Sequence, residues 1–284
     1  MLIRRRAHAK INLLLDVTGR LPNGYHSLAM INQSISLHDT VTVETTPGPN
    51  IELLCSTPGI PLDERNIAHK ACKAFGLHSG LRITIEKRIP AEAGLAGGSA
   101  NAAAVLAALR DIFTPGMPDD QLLKLALQVG ADVPFCLVGG CCLVEGIGET
   151  LTPLPCLPED YSIALAKPAF SVSTANAYAK LDQINFARPK TGQAIAYAKQ
   201  GDWANLFPLC ANVFEQAVDF TALNSVKQNA LHAGALLTQM TGSGSAVFAL
   251  FRRGSNPAPI TQALAQLNQN VAIHHPVPKG LSQA

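Results

Sequence analysis

Residues 90–104, PAEAGLAGGSANAAA, bring Gly94, Gly97 and Gly98 together just ahead of a run of alanine. Alanine is the strongest helix former and glycine one of the weakest. The glycines therefore do not belong inside the helix that the alanines specify. The arrangement predicts a loop over 90–98 whose backbone comes close to something. It opens into a helix from about Ser99 to Phe113, ended by Thr114-Pro115-Gly116. Upstream, LRITIEKRI at 81–89 alternates Leu81, Ile83 and Ile85 with polar residues, the pattern of a strand. Strand, glycine loop and helix start in succession form a context in which free N–H groups and the helix dipole bind phosphate. Glycines there leave room for close approach of the backbone, and Ser99 either caps the helix or touches a phosphate oxygen. On these residues alone a second reading stays open, a tight strand-to-helix turn with no ligand.

The rest of the chain mixes strands and helices. INLLLDVTGR at 11–20 predicts a strand turning at Thr18-Gly19, and HDTVTVETT at 38–46 a half-exposed strand with Val41 and Val43 on one face. Ile67, Ala71, Ala74 and Phe75 fall at near-helical spacing, with Gly76 as the stop, and a further helix over 119–129 ends at Gly130. Residues 130–151 read as a short polar start, an apolar run and a glycine-punctuated hairpin. Prolines crowd 151–160, which marks a boundary between an N-terminal part, 1–158, and a C-terminal part, 159–284. Beyond it, 161–168 and 245–253 are buried-type strands, with helices near 174–182, 190–200, 202–208 and 221–233. His274-His275 falls on a solvated strand near the C-terminus. The absence of strict βαβ alternation favours an α+β fold.

Composition narrows the function classes. A length of 284 residues allows two modest domains or one large one. A net charge of +2 gives no case for nucleic acid or an anionic membrane as partner. The seven cysteines are odd in number and include no C-x-x-C pair, so reduced, packed thiols are expected in place of a disulfide framework or zinc site. Lys10, Asn12 and Asp16 interrupt the apolar N-terminal run and no small-residue cleavage site follows, which argues against a signal peptide. No stretch reaches the length of about 18 apolar residues that a spanning helix needs. A cytoplasmic protein acting on small molecules, as a monomer or homodimer, is the expectation.

Familiar phosphate motifs do not fit. Gly19 and Gly24 have P-loop spacing, but Tyr25 stands where lysine should be, and G-x-G-x-x-G, H-R-D and D-F-G are missing. What fits is P-x-x-x-G-L-x-G-G-S, from Pro90 to Ser99. With AKINLLLDVTGRLPNGYH at 9–26, GADVPF at 130–135 and MTGSGSAVFALF at 240–251, the chain resembles the superfamily of galactokinase, homoserine kinase, mevalonate kinase and phosphomevalonate kinase. The four motifs, in order over nearly the whole chain, are most similar to the branch that phosphorylates 4-diphosphocytidyl-2-C-methyl-D-erythritol in non-mevalonate isoprenoid precursor synthesis.

That resemblance implies two α+β domains, the first ribosomal-protein-S5-like and the second ferredoxin-like, with ATP and an alcohol meeting in the cleft between them. It implies transfer of the ATP γ-phosphate to the 2-hydroxyl of the acceptor. Pro90, Ala91, Glu92, Ala93, Gly94, Leu95, Ala96, Gly97, Gly98, Ser99 and Ala100 would wrap the phosphates, with Asn66 beside the adenine. Asp132 would take the hydroxyl proton and Lys10 would keep that carboxylate charged. Taken singly, Asp132 reads as a helix N-cap and Lys10 as a surface lysine. Tyr25 would stack on cytosine, His26 read its edge, and Tyr178 supply the opposite ring. Asn12 and Thr174 would touch the acceptor. Ala100 departs from the serine of many relatives, and Gly97 and Gly98 stand where the wider superfamily has serines, one of which helps hold magnesium elsewhere. No protein ligand for magnesium is therefore implied, and the ion would come with ATP.

Overall fold

The structure, a computed structural model, describes every residue except Asn23. Two long antiparallel strands, β1 (Leu2–Arg20) and β2 (His26–Thr45), form its backbone. β2 begins twelve residues before the expected 38–46, because its first half carries polar residues such as Asn32, Gln33 and Ser34 that are nonetheless buried. β3 (Ile51–Cys55), α1 (Ile67–Ala74), β4 (Leu81–Glu86) and α2 (Gly97–Phe113) follow. α3 (Asp119–Val129), α4 (Val133–Val138), β5 (Cys141–Gly146) and β6 (Thr150–Leu154) complete the first half. The apolar run after Gly130 forms the short helix α4 with Asp132 at its N-cap position, and the glycine-punctuated hairpin follows as β5 and β6. β6 takes in Pro153 from the expected boundary. It pairs only with β5, and an edge strand tolerates a missing donor.

The second half runs β7 (Tyr161–Ala166), α5 (Thr174–Leu181), α6 (Thr191–Gln200), α7 (Trp203–Leu206), α8 (Leu223–His232) and β8 (Leu237–Met240). It ends with β9 (Val247–Arg252), α9 (Ala258–Ala265), β10 (Ala272–His274) and β11 (Leu281–Gln283). β8 and α9 were not anticipated. The four strands β10-β7-β9-β8 make an antiparallel sheet, while β11 returns to pair with β1 in the first.

Alternation explains how the two sheets share the interior. Ile163 and Leu165 of β7, with Phe248 and Leu250 of β9, cluster with Ala9, Ile11, Leu13 and Leu14 of β1. The intervening Ala164, Ala166, Val247 and Ala249 face a second core with α8 and α9. β1 is consequently buried without a break from Ala7 to Val17, polar residues included. On the other side of the first sheet, α2 is buried continuously from Ala100 to Leu109, which marks a central helix rather than a surface one.

His8, on β1, is 8% exposed and holds the seam to β11. Its Nδ1–H donates to the Ile35 carbonyl at 3.1 Å, which leaves Nε2 to accept from the Ser282 hydroxyl at 3.0 Å. Burial, then neighbouring His38, lowers its pKa to about 4. The half-buried His274 is likewise lowered to about 4 by burial and by His275 and His38, on a strand whose Ala272 and Ile273, with the following His275, are exposed as the solvated reading expected. Because the unfolded pKa is higher, the unfolded state binds more protons between about 6.5 and 4. Stability is therefore expected to fall as pH drops through that window and to level off below it. From pH 7 to 5, His8 alone accounts for about 2 kcal/mol, checked by urea denaturation at both pH values. In His8→Asn the fall should be shallower by that amount.

Candidate active site

One cleft of 1340 Å³ takes lining from both halves. Lys10, Tyr25, His26, Asn66, Pro90, Ala91, Glu92, Ala93, Gly94, Leu95, Ala96, Gly97, Gly98, Asp132, Thr174 and Tyr178 all reach it. Asn12, Ser99 and Ala100 do not; Asn12 and Ala100 are fully buried.

The glycine loop is pinned from behind. The Leu95 carbonyl accepts from the Lys10 amide at 3.2 Å, and the Ala93 carbonyl from the Ala246 amide at 3.2 Å. Fully buried Asp39 clamps both ends: Oδ1 accepts from the amides of Arg88 and Ile89 at 2.7 and 2.8 Å, and Oδ2 accepts from Asn101 Nδ2 of α2 at 2.8 Å. Lys87 Nζ completes this buried set with an ion pair to Asp39 of 2.5 Å. Sequence reading passed over Asp39, although it stands in period-2 register with the inward Val41 and Val43. A carboxylate on a core face is the signal that was available.

The helix begins at Gly97 and not at Ser99, which corrects the expected start. Ala96 takes the N-cap position with φ 56°, and Glu92 has φ 51°, both left-handed conformations that non-glycine residues rarely adopt. Ser99 therefore sits in the first turn and is no cap. The amides of Gly97, Gly98 and Ser99 open the helix without intrahelical acceptors. Two of the glycines are small for their own neighbours. A Cβ on Gly94 would lie 2.0 Å from the Thr241 carbonyl oxygen, and one on Gly97 would lie 2.9 Å from Ile89 Cγ2. Close packing behind the loop requires them, whatever approaches from the front.

Lys10 is 4% exposed and donates from Nζ to Asn12 Oδ1 at 2.7 Å. That oxygen also accepts from the Gly242 amide at 2.7 Å, while Asn12 Nδ2 donates to Asn32 Oδ1 at 2.6 Å. Asn12 thus ties Lys10 to the turn before β9. Register shifts at His8/Lys10 and Asn12/Leu14 interrupt the β1–β2 ladder on either side of this pair, and such irregularities re-aim side chains. Asp132 occupies the N-cap position of α4, yet its side chain makes no capping hydrogen bond. Its charge, after burial, helps push the Tyr178 hydroxyl up to about 12. Asn66 caps α1 through Oδ1 to the Ala68 amide at 2.9 Å and donates to the Pro61 carbonyl at 2.7 Å, so its amide is committed to the wall of the cleft.

At the other end, Tyr25 is 62% exposed on the cleft rim. His26 and Tyr178 stack on each other, with centroids 4.6 Å apart and planes at 19°, and Phe214 braces Tyr178 edge-on at 4.8 Å. Tyr178 therefore meets His26 face to face instead of standing alone opposite Tyr25. Thr174 Oγ1 and Ser243 Oγ are 2.8 Å apart, joining α5 to the second glycine turn. Among the described residues, no group of three or more His, Cys, Asp or Glu side chains is placed to hold a metal, and no helix is long and apolar enough to cross a membrane.

A glycine loop at a helix start, with a carboxylate and an ammonium in the same cleft, defines a phosphoryl-transfer enzyme in architecture. The family model described as GHMP kinases N terminal domain matches residues 65–140, and GHMP kinases C terminal matches 194–272. Proteins named 4-diphosphocytidyl-2-C-methyl-D-erythritol kinase are similar over most of the chain. The one from Lachnoclostridium phytofermentans is 42% identical over 88% of this chain and 88% of its own, and that from Alkaliphilus metalliredigens 40% over the same shares. A crystal structure of 4-(cytidine 5'-diphospho)-2C-methyl-D-erythritol kinase matches with TM-score 0.73 and 30% identity, over 99% of this chain and 100% of that one. Homoserine kinase from Cytophaga hutchinsonii has TM-score 0.78 at 21% identity, covering 100% of this chain and 97% of its own, a likeness of fold alone. The chain belongs to the GHMP kinases, with the two-domain α+β fold of that family, and within them to the 4-diphosphocytidyl-2-C-methyl-D-erythritol kinases.

Proposed function

We propose that this cleft transfers the γ-phosphate of ATP to the 2-hydroxyl of 4-diphosphocytidyl-2-C-methyl-D-erythritol. The observation that carries the reading is the convergence of the glycine loop, Lys10, Asp132 and the Tyr25, His26 and Tyr178 rings on one cavity. Phosphoryl transfer asks mainly for positioning and charge stabilisation. The free amides at the start of α2 and the positive end of its dipole supply both for the phosphates. Asp132, unburdened by a capping bond, takes the acceptor proton. The Lys10 ammonium, aimed by Asn12, stabilises the negative charge that develops on the acceptor oxygen. Asn12 acts on the acceptor through Lys10, and Thr174 meets it directly from the start of α5.

Magnesium enters as part of the ATP complex. The carboxylates that line the cleft are Glu92 and Asp132, and an ion that gives up water reluctantly suits a site where phosphates and water supply most ligands. We divide the chain at 158/159, within the strand-free run between β6 and β7, with β11 crossing back to the first sheet.

The direct test is ADP release with the cytidyl acceptor, mevalonate and homoserine in parallel. Turnover with the cytidyl acceptor alone is expected, since the other two have no base for the rings. Equal or faster turnover of mevalonate or homoserine would overturn the assignment. Tyr25→Ala should weaken acceptor binding by about 1–3 kcal/mol, the usual value of one base–aromatic stack, and leave ATP affinity unchanged. Equal losses for both ligands would mean that the 20–26 turn had collapsed.

A further inference from the structure

His26 does not stand free at the rim of the cleft. Its side chain is 11% exposed, and Nε2 lies 2.7 Å from Oδ1 of Asp182, a residue 156 positions away in sequence. Asp182 follows the last residue of α5 as its C-cap, and its amide donates back to the Tyr178 carbonyl at 2.9 Å. Residues four apart on a helix lie on one face. A single turn of α5 therefore offers His26 both a ring to stack on and a carboxylate to bond. Tyr178 sets the plane of the imidazole, and Asp182 sets its rotation within that plane. Arg20 Nη1 stands 3.8 Å from the other oxygen, Oδ2.

The geometry points to Asp182 as the positioning residue that sets which pyrimidine the site accepts, through the tautomer of His26. This rests on the cytidyl acceptor proposed above. An ionised carboxylate only accepts hydrogen bonds, so in the neutral imidazole the proton resides on Nε2. Nδ1, the ring nitrogen not engaged by Asp182, then carries a lone pair. A lone pair accepts from an exocyclic amine, as on cytosine, and meets only repulsion from the carbonyl oxygen that uracil carries in that place. A site built to bond an N–H discriminates strongly against an analogue lacking it, because the buried partner is left unpaired. The partner on one imidazole nitrogen thus decides what the other nitrogen reads.

The test uses the full-length protein and two readouts. The first is the ¹⁵N shifts of the His26 ring without ligand, above its titration. Wild type is expected to show protonated Nε2 and bare Nδ1, and Asp182→Asn, which removes the dictating charge, a mixture of tautomers. The second is competitive inhibition by CDP and UDP. Wild type is expected to prefer CDP, and Asp182→Asn to lose about tenfold or more of that preference, with ATP KM and thermal midpoint unchanged. A proton on Nδ1 in wild type would overturn the proposal. So would an Asp182→Asn variant that keeps the full CDP preference, or one that weakens CDP and UDP equally. Wild type indifferent to the base, with Nε2 protonated as expected, would overturn the cytidyl reading beneath it and the selectivity role together. The ligand-free spectrum keeps that failure distinct from a failure of the tautomer.

Discussion

Asparagine in place of Asp132 is expected to lower kcat by about 10²–10⁴-fold, the usual contribution of a positioned general base, while ATP and the acceptor still bind. The structure makes this substitution a clean probe. Asp132 occupies an N-cap position without capping, so loss of the charge does not unpin α4. Thermal stability should be nearly unchanged, and the loss should appear in single-turnover phosphoryl transfer with the two affinities measured separately. Lys10→Met is expected to damage the same step by removing the ammonium that stabilises the forming alkoxide. Because the two groups act as a unit, the double variant should be far less than multiplicatively worse. Near wild-type turnover in Asp132→Asn would remove it from the mechanism, and fully multiplicative losses would separate Lys10 from it.

Gly94→Ala is expected to cost several kcal/mol of stability. Its φ is +74°, and the added Cβ would sit 2.0 Å from the Thr241 carbonyl oxygen and 2.9 Å from the Thr241 carbonyl carbon. Those are backbone atoms, with Gly242 packed directly behind them, so no flexible side chain can give way. Left-handed strain of about 1–3 kcal/mol and overpacking of about 1–3 kcal/mol add to roughly 2–6 kcal/mol. Urea denaturation reads that loss directly. Gly98→Ala is the control, since its Cβ would meet only Ile67 Cγ2 at 3.3 Å and its backbone is ordinary helix. There the gain in helix propensity, about 1 kcal/mol, offsets the tight contact. A Gly94→Ala variant as stable as wild type would show that the two glycine turns are not locked together.

The local grammar of the chain was legible. Alternation at 81–89, the glycines at 94, 97 and 98, and the alanine run after them specified strand, loop and helix, because each depends on neighbours within a few residues. The helix start was misplaced by two residues, since Ala96 holds a left-handed conformation that its side chain disfavours and its tertiary surroundings impose. The four ordered motifs also identified the kinase family and named many residues of the cleft lining, although Asn12, Ser99 and Ala100 do not reach it. The polar residues of β1 and β2 were harder to read. Lys10, Asn12 and Asn32 interrupt apolar runs and resemble surface positions until the second sheet covers them.

Chain order alone says that Gly94 is a turn residue; contact with Thr241 decides that nothing larger fits. Likewise, a histidine after a glycine turn is a loop residue until α5 arrives. The stack of His26 on Tyr178 and its bond to Asp182 exist only because the two halves pack against each other. Sequence determines propensity and the alternation of side chains along each element, since those follow from bonded neighbours and side-chain chemistry. Partners far apart in the chain are chosen by packing, because burying both faces of β1 is what brings Lys10, the glycine loop and the aromatic rings to one cavity.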